Sequence, residues 1–337
     1  MTITVYGAGA IGGTTGAALV RAGHDVLLVD SAVAHVEAIN ATGITIERGD
    51  GAVTARVPAV TPDRLGRDLG LVLLAVKSHH TAEALRDLAP RLAPGGTIVS
   101  LQNGLSEEQI AASVGAGRTV GCLVNWAADW IAPGRIRHGG HGAFVLGELD
   151  GRDTPRVREL AALLSAVEET PVTDNIWGYK WAKLIYGALL FATALVDAHV
   201  YEVVERSPGV KRALVGVVGE GLAVADKAGV RVLPFDEFDP AWYRAALAGD
   251  AAAVDRAMAA IAAHYRQHTK TKTGIWRDLA VRKRRTEVDV QIAPIAQLGA
   301  KHGIATPAVD GLVRVIHEIE NGTRPMADAN LLDILPR

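Results

Sequence analysis

The sequence predicts an α/β fold, in which a doubly wound parallel sheet is followed by an all-helical domain. Over about the first 170 residues, short runs rich in β-branched and aliphatic residues alternate with helical segments. This alternation favours parallel strands joined by right-handed crossovers. From about residue 174, long segments rich in alanine and leucine replace the strands. We therefore expect one domain over residues 1–172 and a second over residues 173–337.

Five strands and four helices are predicted in the first domain from apolar runs and their spacing. The strands are 3–6, 26–29, 71–76, 97–101 and 119–124, and the helices are 11–22, 32–41, 81–92 and 106–113. Residues 134–147 combine glycine with aromatic and β-branched residues, which predicts further strands at the edge of the sheet.

Five long helices are predicted in the second domain, at 176–199, 209–228, 240–268, 286–302 and 307–321. Proline residues stand at or just before several of their starts, where a missing backbone N–H is tolerated. The second domain is therefore expected to contain no sheet.

The composition argues against several classes of protein. The net charge of −2 gives no broad field for nucleic acid or an anionic membrane. The single cysteine, Cys122, cannot form an internal disulfide, and no Cys/His cluster has the spacing of a zinc site. No apolar run is long enough to span a bilayer, and the start of the chain resembles a strand more than a signal peptide. We expect a cytoplasmic, soluble protein without a metal, nucleic-acid or membrane partner.

A glycine-rich turn directly follows the first predicted strand and opens the first helix. It reads Gly7-Ala8-Gly9-Ala10-Ile11-Gly12. Glycines at this spacing allow a tight turn, close approach to a pyrophosphate, and close helix–strand packing. The helix N-terminus adds free N–H groups for the phosphates. The pattern indicates a Rossmann domain that binds a nicotinamide dinucleotide; the alternative is a glycine-rich turn without a ligand.

Asp30 ends the second strand, 18 residues after Gly12, and bears on the choice of cofactor. A carboxylate there accepts hydrogen bonds from ribose hydroxyls and repels a 2′-phosphate. Ser31 follows, and no Lys or Arg occurs before Arg48. These residues favour NAD over NADP, unless Asp30 serves only to cap the next helix.

Five further segments, in this order, make the chain resemble the ketopantoate reductase (2-dehydropantoate 2-reductase) family. The first two follow the third and fourth main strands, at the sheet edge where open α/β folds bind ligands. The segments are Ala75-Val76-Lys77, Gln102-Asn103-Gly104, Trp181-Ala182-Lys183-Leu184, Thr286-Glu287-Val288-Asp289 and His302-Gly303-Ile304-Ala305-Thr306-Pro307.

The resemblance implies a role for each matching residue. Lys183 would be the general acid that protonates the substrate carbonyl, and Asn103 would contact both cofactor and substrate. Lys77 would border the nicotinamide, Glu287 would contact the cofactor ribose, and Ala127 would be a small residue against the cofactor. Without the resemblance, Lys77 is equally a surface lysine and Asn103 a turn residue.

Lys183 also has a physical argument of its own. Carbonyl reduction develops negative charge on oxygen, and a nearby proton donor lowers the barrier. Apolar neighbours on its helix would lower the pKa of a lysine by desolvation. The alternative is a lysine that extends from an amphipathic helix to water.

The chain departs from the family pattern where substrate is expected to bind. Gly187 and Phe191 replace two asparagines that follow the lysine by four and eight residues, and Ser31 replaces an arginine. The segment before Glu287 is also altered, and Lys272, Thr273 and Arg277 are candidates there for substrate contacts. We therefore expect the same reaction on a bulkier or less polar acid than ketopantoate.

Three functions remain open from the sequence. The first is an NAD(P)-dependent oxidoreductase that transfers hydride to or from a small 2-oxo or 2-hydroxy acid other than ketopantoate. The second is an authentic 2-dehydropantoate 2-reductase that uses NADPH, and the third is a dinucleotide-binding sensor without catalysis. The basic run 277–285 is interpreted as a solvated helix face or an anion anchor. A homodimer is expected.

Overall fold

The computed structural model of the chain describes residues 1–49, 51–267 and 270–335. The chain divides into two compact units, Met1–Ile176 and Trp177–Arg337. The first unit contains all the long strands and the second is helical. The predicted fold class is confirmed.

The first unit contains eleven strands within the described residues. They are β1 (Ile3–Tyr6), β2 (Val26–Val29), β3 (Ile44–Arg48), β4 (Gly51–Ala55), β5 (Ala59–Val60), β6 (Leu69–Leu74), β7 (Leu92–Ser100), β8 (Thr119–Asn125), β9 (Ala128–Ala132), β10 (Arg135–His138) and β11 (Ala143–Glu148). Its helices are α1 (Ala10–Arg21), α2 (Val33–Thr42), α3 (Thr81–Leu88), α4 (Ser106–Val114) and α5 (Pro155–Leu164).

Seven of these strands form the main sheet, in the order β11-β8-β7-β6-β1-β2-β5. All neighbours are parallel except β11, which is antiparallel to β8. The chain moves from β1 to β2 on one side and returns to β6 on the other side of β1. The carboxyl ends of β1 and β6 therefore flank a topological switch point, which is where sheets of this kind bind ligands.

A second, four-stranded sheet has the order β4-β3-β10-β9. The prediction of added edge strands at 134–147 is correct for β11 and wrong for β10, which pairs with β3 and β9. This small sheet packs on α1, because a Cβ added at Gly13 would lie 2.5 Å from Ile136 Cδ1 and 2.8 Å from Ile44 Cδ1. Gly13 thus allows close contact between the helix and the small sheet.

Several predicted boundaries differ from the structure. The strand predicted at 71–76 is β6, which ends at Leu74 because the following residues form a loop and a 3₁₀ turn over Ser78–His80. The helix predicted at 240–268 is two helices, since Gly249 adopts a positive φ of 99° between them. Its last predicted residue, His268, lies outside the described residues. The helix predicted at 286–302 is interrupted at Ile292, just before Pro294.

The second unit is built from ten helices within the described residues, the first of which begins at the unit boundary. They are α6 (Ile176–Thr193), α7 (Val200–Val204), α8 (Pro208–Lys227), α9 (Pro240–Leu247), α10 (Ala251–Gln267), α11 (Gly274–Trp276), α12 (Val288–Gln291), α13 (Ala293–His302), α14 (Pro307–Glu320) and α15 (Asn330–Asp333). A π-helical turn over Arg277–Arg282 continues from α11. Among the described residues, we find no helix with the length and hydropathy required to cross a bilayer.

Candidate functional site

The glycine turn joins β1 to α1, and its three glycines differ in how much space surrounds them. Gly7 has a φ of 99°, and a Cβ there would lie 2.7 Å from the Val76 nitrogen. A Cβ at Gly12 would overlap the Gly7 carbonyl oxygen and lie 2.9 Å from Ala75 Cβ. A Cβ at Gly9 would meet no atom within 4 Å. The fold itself therefore requires Gly7 and Gly12, whereas Gly9 leaves space open beside the helix start.

The N-terminus of α1 has the features of an anion site. The helix begins at Ala10, its N-cap residue Gly9 provides no side-chain cap, and the first turn contains no acidic residue. The first N–H groups of a helix have no partner within the helix, and the helix dipole favours an anion there. The open space at Gly9 and these groups fit the pyrophosphate of a dinucleotide, in which Ala8, Ala10 and Ile11 would contribute backbone.

Asp30 follows β2 on the same edge of the sheet and is half-buried. Its Oδ1 accepts a hydrogen bond of 2.9 Å from the Ala32 N–H, just before α2 begins at Val33. Its Oδ2 has no hydrogen-bond partner within 1–49, 51–267 and 270–335. One oxygen thus stabilises the turn into the helix, and the other is available to a ribose hydroxyl.

Lys77 and Asn103 lie on two loops that hydrogen bonds hold together. Both side chains are exposed at the carboxyl ends of the adjacent strands β6 and β7. The Ser78 hydroxyl donates to the Asn103 carbonyl oxygen at 2.6 Å, and Gln102 Nε2 donates to the Val76 carbonyl oxygen at 2.9 Å. The pairing of the two loops brings both candidates to the sheet edge that carries the glycine turn.

Ala127 lies just beyond β8, the next parallel strand, and is exposed. Its carbonyl oxygen accepts a hydrogen bond of 2.7 Å from the Gly139 N–H. The residue therefore follows a strand whose carboxyl end lies on the same edge as those of β6 and β7.

Lys183 is half-buried on α6, among residues of the helix that are almost fully buried. Gly187 follows it by one helical turn, and a Cβ added there would meet no atom within 4 Å. Phe191, one further turn along, is only 2% exposed. Residues four apart share a helix face, so the lysine and an open helix surface lie side by side. The buried Lys180 shares this face and was not singled out from the sequence.

The segment before Glu287 places its three candidates in different surroundings. Lys272 Nζ donates to Asp197 Oδ1 at 2.7 Å and lies 3.9 Å from the centre of the Trp276 ring. That hydrogen bond is the main reason that the pKa of the Asp197 carboxyl is lowered. Thr273 caps α11 by accepting from the Trp276 N–H. Lys272 and Thr273 thus support the local structure.

Arg277 begins the π-helical turn and is half-buried. Its guanidinium makes no hydrogen bond or ion pair with any residue that the structure describes. By contrast, Arg282 and Arg284 of the same basic run both donate to Asp278 Oδ1 at 2.9 Å. Arg277 is therefore the better candidate for an external anion.

Glu287 is half-buried immediately before α12. Its Oε2 accepts a hydrogen bond of 3.0 Å from Gln291 Nε2, four residues later. This hydrogen bond holds the Glu287 carboxylate against the first turn of α12, and a carboxylate is a type of group that can accept from ribose hydroxyls.

A buried polar cluster in the second unit was not found from the sequence. The Tyr186 hydroxyl donates to Glu237 Oε1, and His264 Nδ1 lies 3.0 Å from Glu237 Oε2. Burial raises the pKa of both Glu237 and Tyr186. The carboxylate and the phenol are 51 positions apart, and no local pattern connects them. Among the described residues, no group of His, Cys, Asp or Glu forms a candidate metal centre.

Comparison with known proteins adds relatives of both units. The family model described as "Ketopantoate reductase PanE/ApbA" matches residues 3–151, and its C-terminal counterpart matches residues 175–320. The chain is 30% identical to the 2-dehydropantoate 2-reductase of Mesorhizobium japonicum, over 95% of this chain and 98% of that protein.

Solved structures are similar over the same extent. A PanE/ApbA family ketopantoate reductase from Ralstonia eutropha has a TM-score of 0.78 and 30% identity, and the match covers 96% of this chain and 99% of that one. A D-mandelate dehydrogenase solved with NADH and anilino(oxo)acetate also has a TM-score of 0.78, with 23% identity and the same coverage. The latter likeness shows the fold alone.

Proposed function

The chain belongs to the ketopantoate reductase family, and from that premise we propose that it is an NAD-preferring dehydrogenase for a 2-oxo or 2-hydroxy acid other than ketopantoate. Membership makes it a nicotinamide-dependent oxidoreductase. The cofactor preference, the substrate and the roles of individual residues are the proposal.

The preference for NAD is supported by Asp30. Its free Oδ2 can accept a ribose hydroxyl, whereas a carboxylate at this position opposes a 2′-phosphate. Its neighbour Ser31 carries no positive charge for that phosphate. The glycine turn and the start of α1 would hold the pyrophosphate, with Lys77, Asn103 and Ala127 on neighbouring strand ends and Glu287 on a ribose.

Lys183 is proposed as the proton donor to the substrate oxygen, and Asn103 as a hydrogen-bonding partner of the substrate. The nicotinamide supplies or accepts the hydride when it is bound. Reduction of a carbonyl leaves negative charge on oxygen, and an ammonium that donates a proton there lowers the barrier by about 3–5 kcal/mol, or roughly 10²–10⁴-fold. In the oxidative direction, the neutral amine of Lys183 removes the hydroxyl proton.

The open helix surface at Gly187 is the main support for a substrate other than ketopantoate. An asparagine amide at this position would hydrogen-bond a polar substrate group, and its loss leaves that group unpaired at a cost of about 1–3 kcal/mol. Glycine provides space instead, since no described atom beyond the helix's own backbone lies within 4 Å of an added Cβ. Phe191, one turn further along the helix, is buried and offers no polar group to a substrate. A bulkier, less polar acid suits these residues better than ketopantoate.

Arg277 is proposed to bind the carboxylate that all 2-oxo acids share. A guanidinium can hold a carboxylate through two parallel hydrogen bonds, and that of Arg277 has no partner in the described part of the chain. Thr273 would support Arg277 through the α11 cap, and Lys272 through its contact with the Trp276 ring.

A matrix of two cofactors and several acids tests the proposal. The purified protein is assayed with NADH and NADPH against ketopantoate, phenylpyruvate, benzoylformate and 2-oxo-4-methylpentanoate. We expect kcat/KM to be highest with NADH and one of the three bulkier acids, by at least about tenfold over ketopantoate. Efficient reduction of ketopantoate would overturn the substrate proposal.

The second candidate is an authentic 2-dehydropantoate 2-reductase. The name of the Mesorhizobium japonicum relative favours it. It predicts the opposite result in the same matrix, with NADPH and ketopantoate as the best pair.

A homodimer remains a prediction. The apolar residues 189–196, at the end of α6 and just beyond it, could serve either the core or a dimer contact, and most of their side chains are buried within the chain. Light scattering at several protein concentrations measures the oligomeric state directly, and a constant monomer mass would contradict the prediction.

A further inference from the structure

A buried histidine lies directly behind the glycine turn. His35 belongs to the first turn of α2 and is 1% exposed. Its Nε2 lies 2.8 Å from the Ala8 carbonyl oxygen, and its Nδ1 accepts a hydrogen bond of 2.9 Å from the Gly134 N–H. A carbonyl oxygen only accepts and an amide N–H only donates, so Nε2 carries the hydrogen and the ring is neutral.

The bond to Ala8 satisfies a group that nothing else reaches. Ala8 is fully buried, and within the described chain its carbonyl oxygen accepts no other hydrogen bond. A buried carbonyl without a partner is unfavourable, and the turn would relax to expose it. Because this turn presents N–H groups to the proposed phosphates, a carbonyl rotated outward would also place partial negative charge near the anion.

The bond to Gly134 connects the turn to the small sheet. Gly134 lies between β9 and β10, and its own carbonyl accepts from the Thr45 N–H at 2.8 Å. The imidazole therefore bridges the glycine turn and the small sheet, which also packs on α1 at Gly13.

We infer that His35 is a positioning residue for the cofactor, which holds the Ala8 carbonyl away from the ligand and keeps the amides of the turn directed toward the pyrophosphate. The inference rests on the proposed dinucleotide function of the turn. His35 contacts neither the reacting atoms nor the cofactor itself, so its effect is on affinity and not on the chemical step.

Three variants test this role through cofactor affinity measured by calorimetric titration with NADH. His35→Leu removes all three hydrogen bonds of the ring, those to Ala8, Gly134 and Trp130, and should weaken NADH binding about tenfold, while kcat at saturating NADH changes less than about twofold. His35→Gln retains one donor and one acceptor on a side chain of similar reach, and should restore affinity to within about threefold. Trp130→Phe removes only the longest hydrogen bond to the ring, from the indole N–H to Nδ1 at 3.5 Å, and leaves both backbone bonds in place, so it should change NADH affinity less than about twofold.

The outcomes separate this inference from the proposed function. If the wild type binds neither NADH nor NADPH, both are overturned. If the wild type binds NADH and His35→Leu binds it equally well, or if His35→Gln is as weak as His35→Leu, only the role of His35 is overturned. Should His35→Leu not fold, His35→Asn replaces it: its amide is one methylene shorter and cannot reach both partners, so equal NADH affinity of the Asn and Gln variants would refute the inference.

Discussion

The glycine turn allows fold and cofactor affinity to be separated with two single-methyl substitutions. Gly9 has a φ of −65° and an extended backbone, and a Cβ there would meet no described atom within 4 Å. Gly9→Ala should therefore leave the protein as stable or about 0.4–1 kcal/mol more stable, because alanine restricts the unfolded chain. The methyl group would occupy the space proposed for the pyrophosphate. If overpacking there costs about 1–3 kcal/mol, NADH affinity falls about 5–150-fold.

Gly12→Ala, by contrast, should mainly lower the stability of the fold. Its Cβ would overlap the Gly7 carbonyl oxygen and press on Ala75 Cβ at 2.9 Å. Because backbone must move, we expect a loss at the upper end of the overpacking range, about 3 kcal/mol. For a unit of this size, that corresponds to a fall in Tm of about 6–12 °C.

Thermal unfolding without cofactor and calorimetric titration with NADH measure both effects on the same samples. Gly117→Ala is a suitable control, because Gly117 has open space at its Cβ and no positive φ. Gly23→Ala is not suitable, because Gly23 has a φ of 91° that alanine rarely adopts. An unchanged NADH affinity in Gly9→Ala would show that the pyrophosphate does not lie over this turn. An unchanged Tm in Gly12→Ala would refute the packing argument.

Three further predictions concern the second unit. Lys183→Ala should lower kcat about 10²–10⁴-fold with NADH affinity unchanged; stopped-flow and titration measure the two, and wild-type turnover in this variant would remove the proposed proton donor. Gly187→Asn should raise kcat/KM for ketopantoate relative to the best bulkier acid by about fivefold or more, since the amide restores a partner worth about 1–3 kcal/mol; an unchanged ratio in competition assays would contradict the substrate proposal. Burial raises the pKa of Glu237, so the stability it contributes when protonated is present at acidic pH and is lost as the pH rises through that raised pKa. Glutamine does not ionise, so the free energy of unfolding of Glu237→Gln should rise relative to that of the wild type as the pH increases above about 4.5. Denaturant unfolding at several pH values measures this difference, and a difference that does not change with pH would contradict the prediction.

The sequence predicted the local elements of the fold, but it did not predict the pairing of strands that are far apart in the chain. Alternating apolar runs predicted β1, β2 and β8, and the glycine turn fixed the start of α1 to within one residue. The small sheet was missed because β3 pairs with β10, so that Thr45 lies opposite Arg135. Each strand of this sheet has at most two buried residues, and no pattern in the sequence shows which distant segment covers them.

The sequence could identify those candidate site residues that belong to a recognisable motif. Asp30, Lys77 and Asn103 follow strands at the expected edge, and Lys183 was identified mainly through the family resemblance, which its apolar helix setting supports. His35 could not have been found, because its role depends on Ala8 and Gly134, which are 27 and 99 positions away. An isolated histidine near the start of a helix has no signature of such a role.

Gly187 and Phe191, the two positions on α6 that depart from the family pattern, have different surroundings. This difference determines which of them can be substituted alone to change substrate selectivity. At Gly187, no described atom outside the helix's own backbone lies within 4 Å of an added Cβ, so replacement by asparagine should raise stability by only about 0.1–0.3 kcal/mol, the difference in helix propensity. Phe191 is buried, and its replacement by asparagine would leave a cavity and bury an amide, at a cost of about 3–5 kcal/mol. Position 187 can therefore be exchanged alone, whereas position 191 can change only together with the side chains packed around it. Substitutions intended to favour ketopantoate should therefore begin at Gly187.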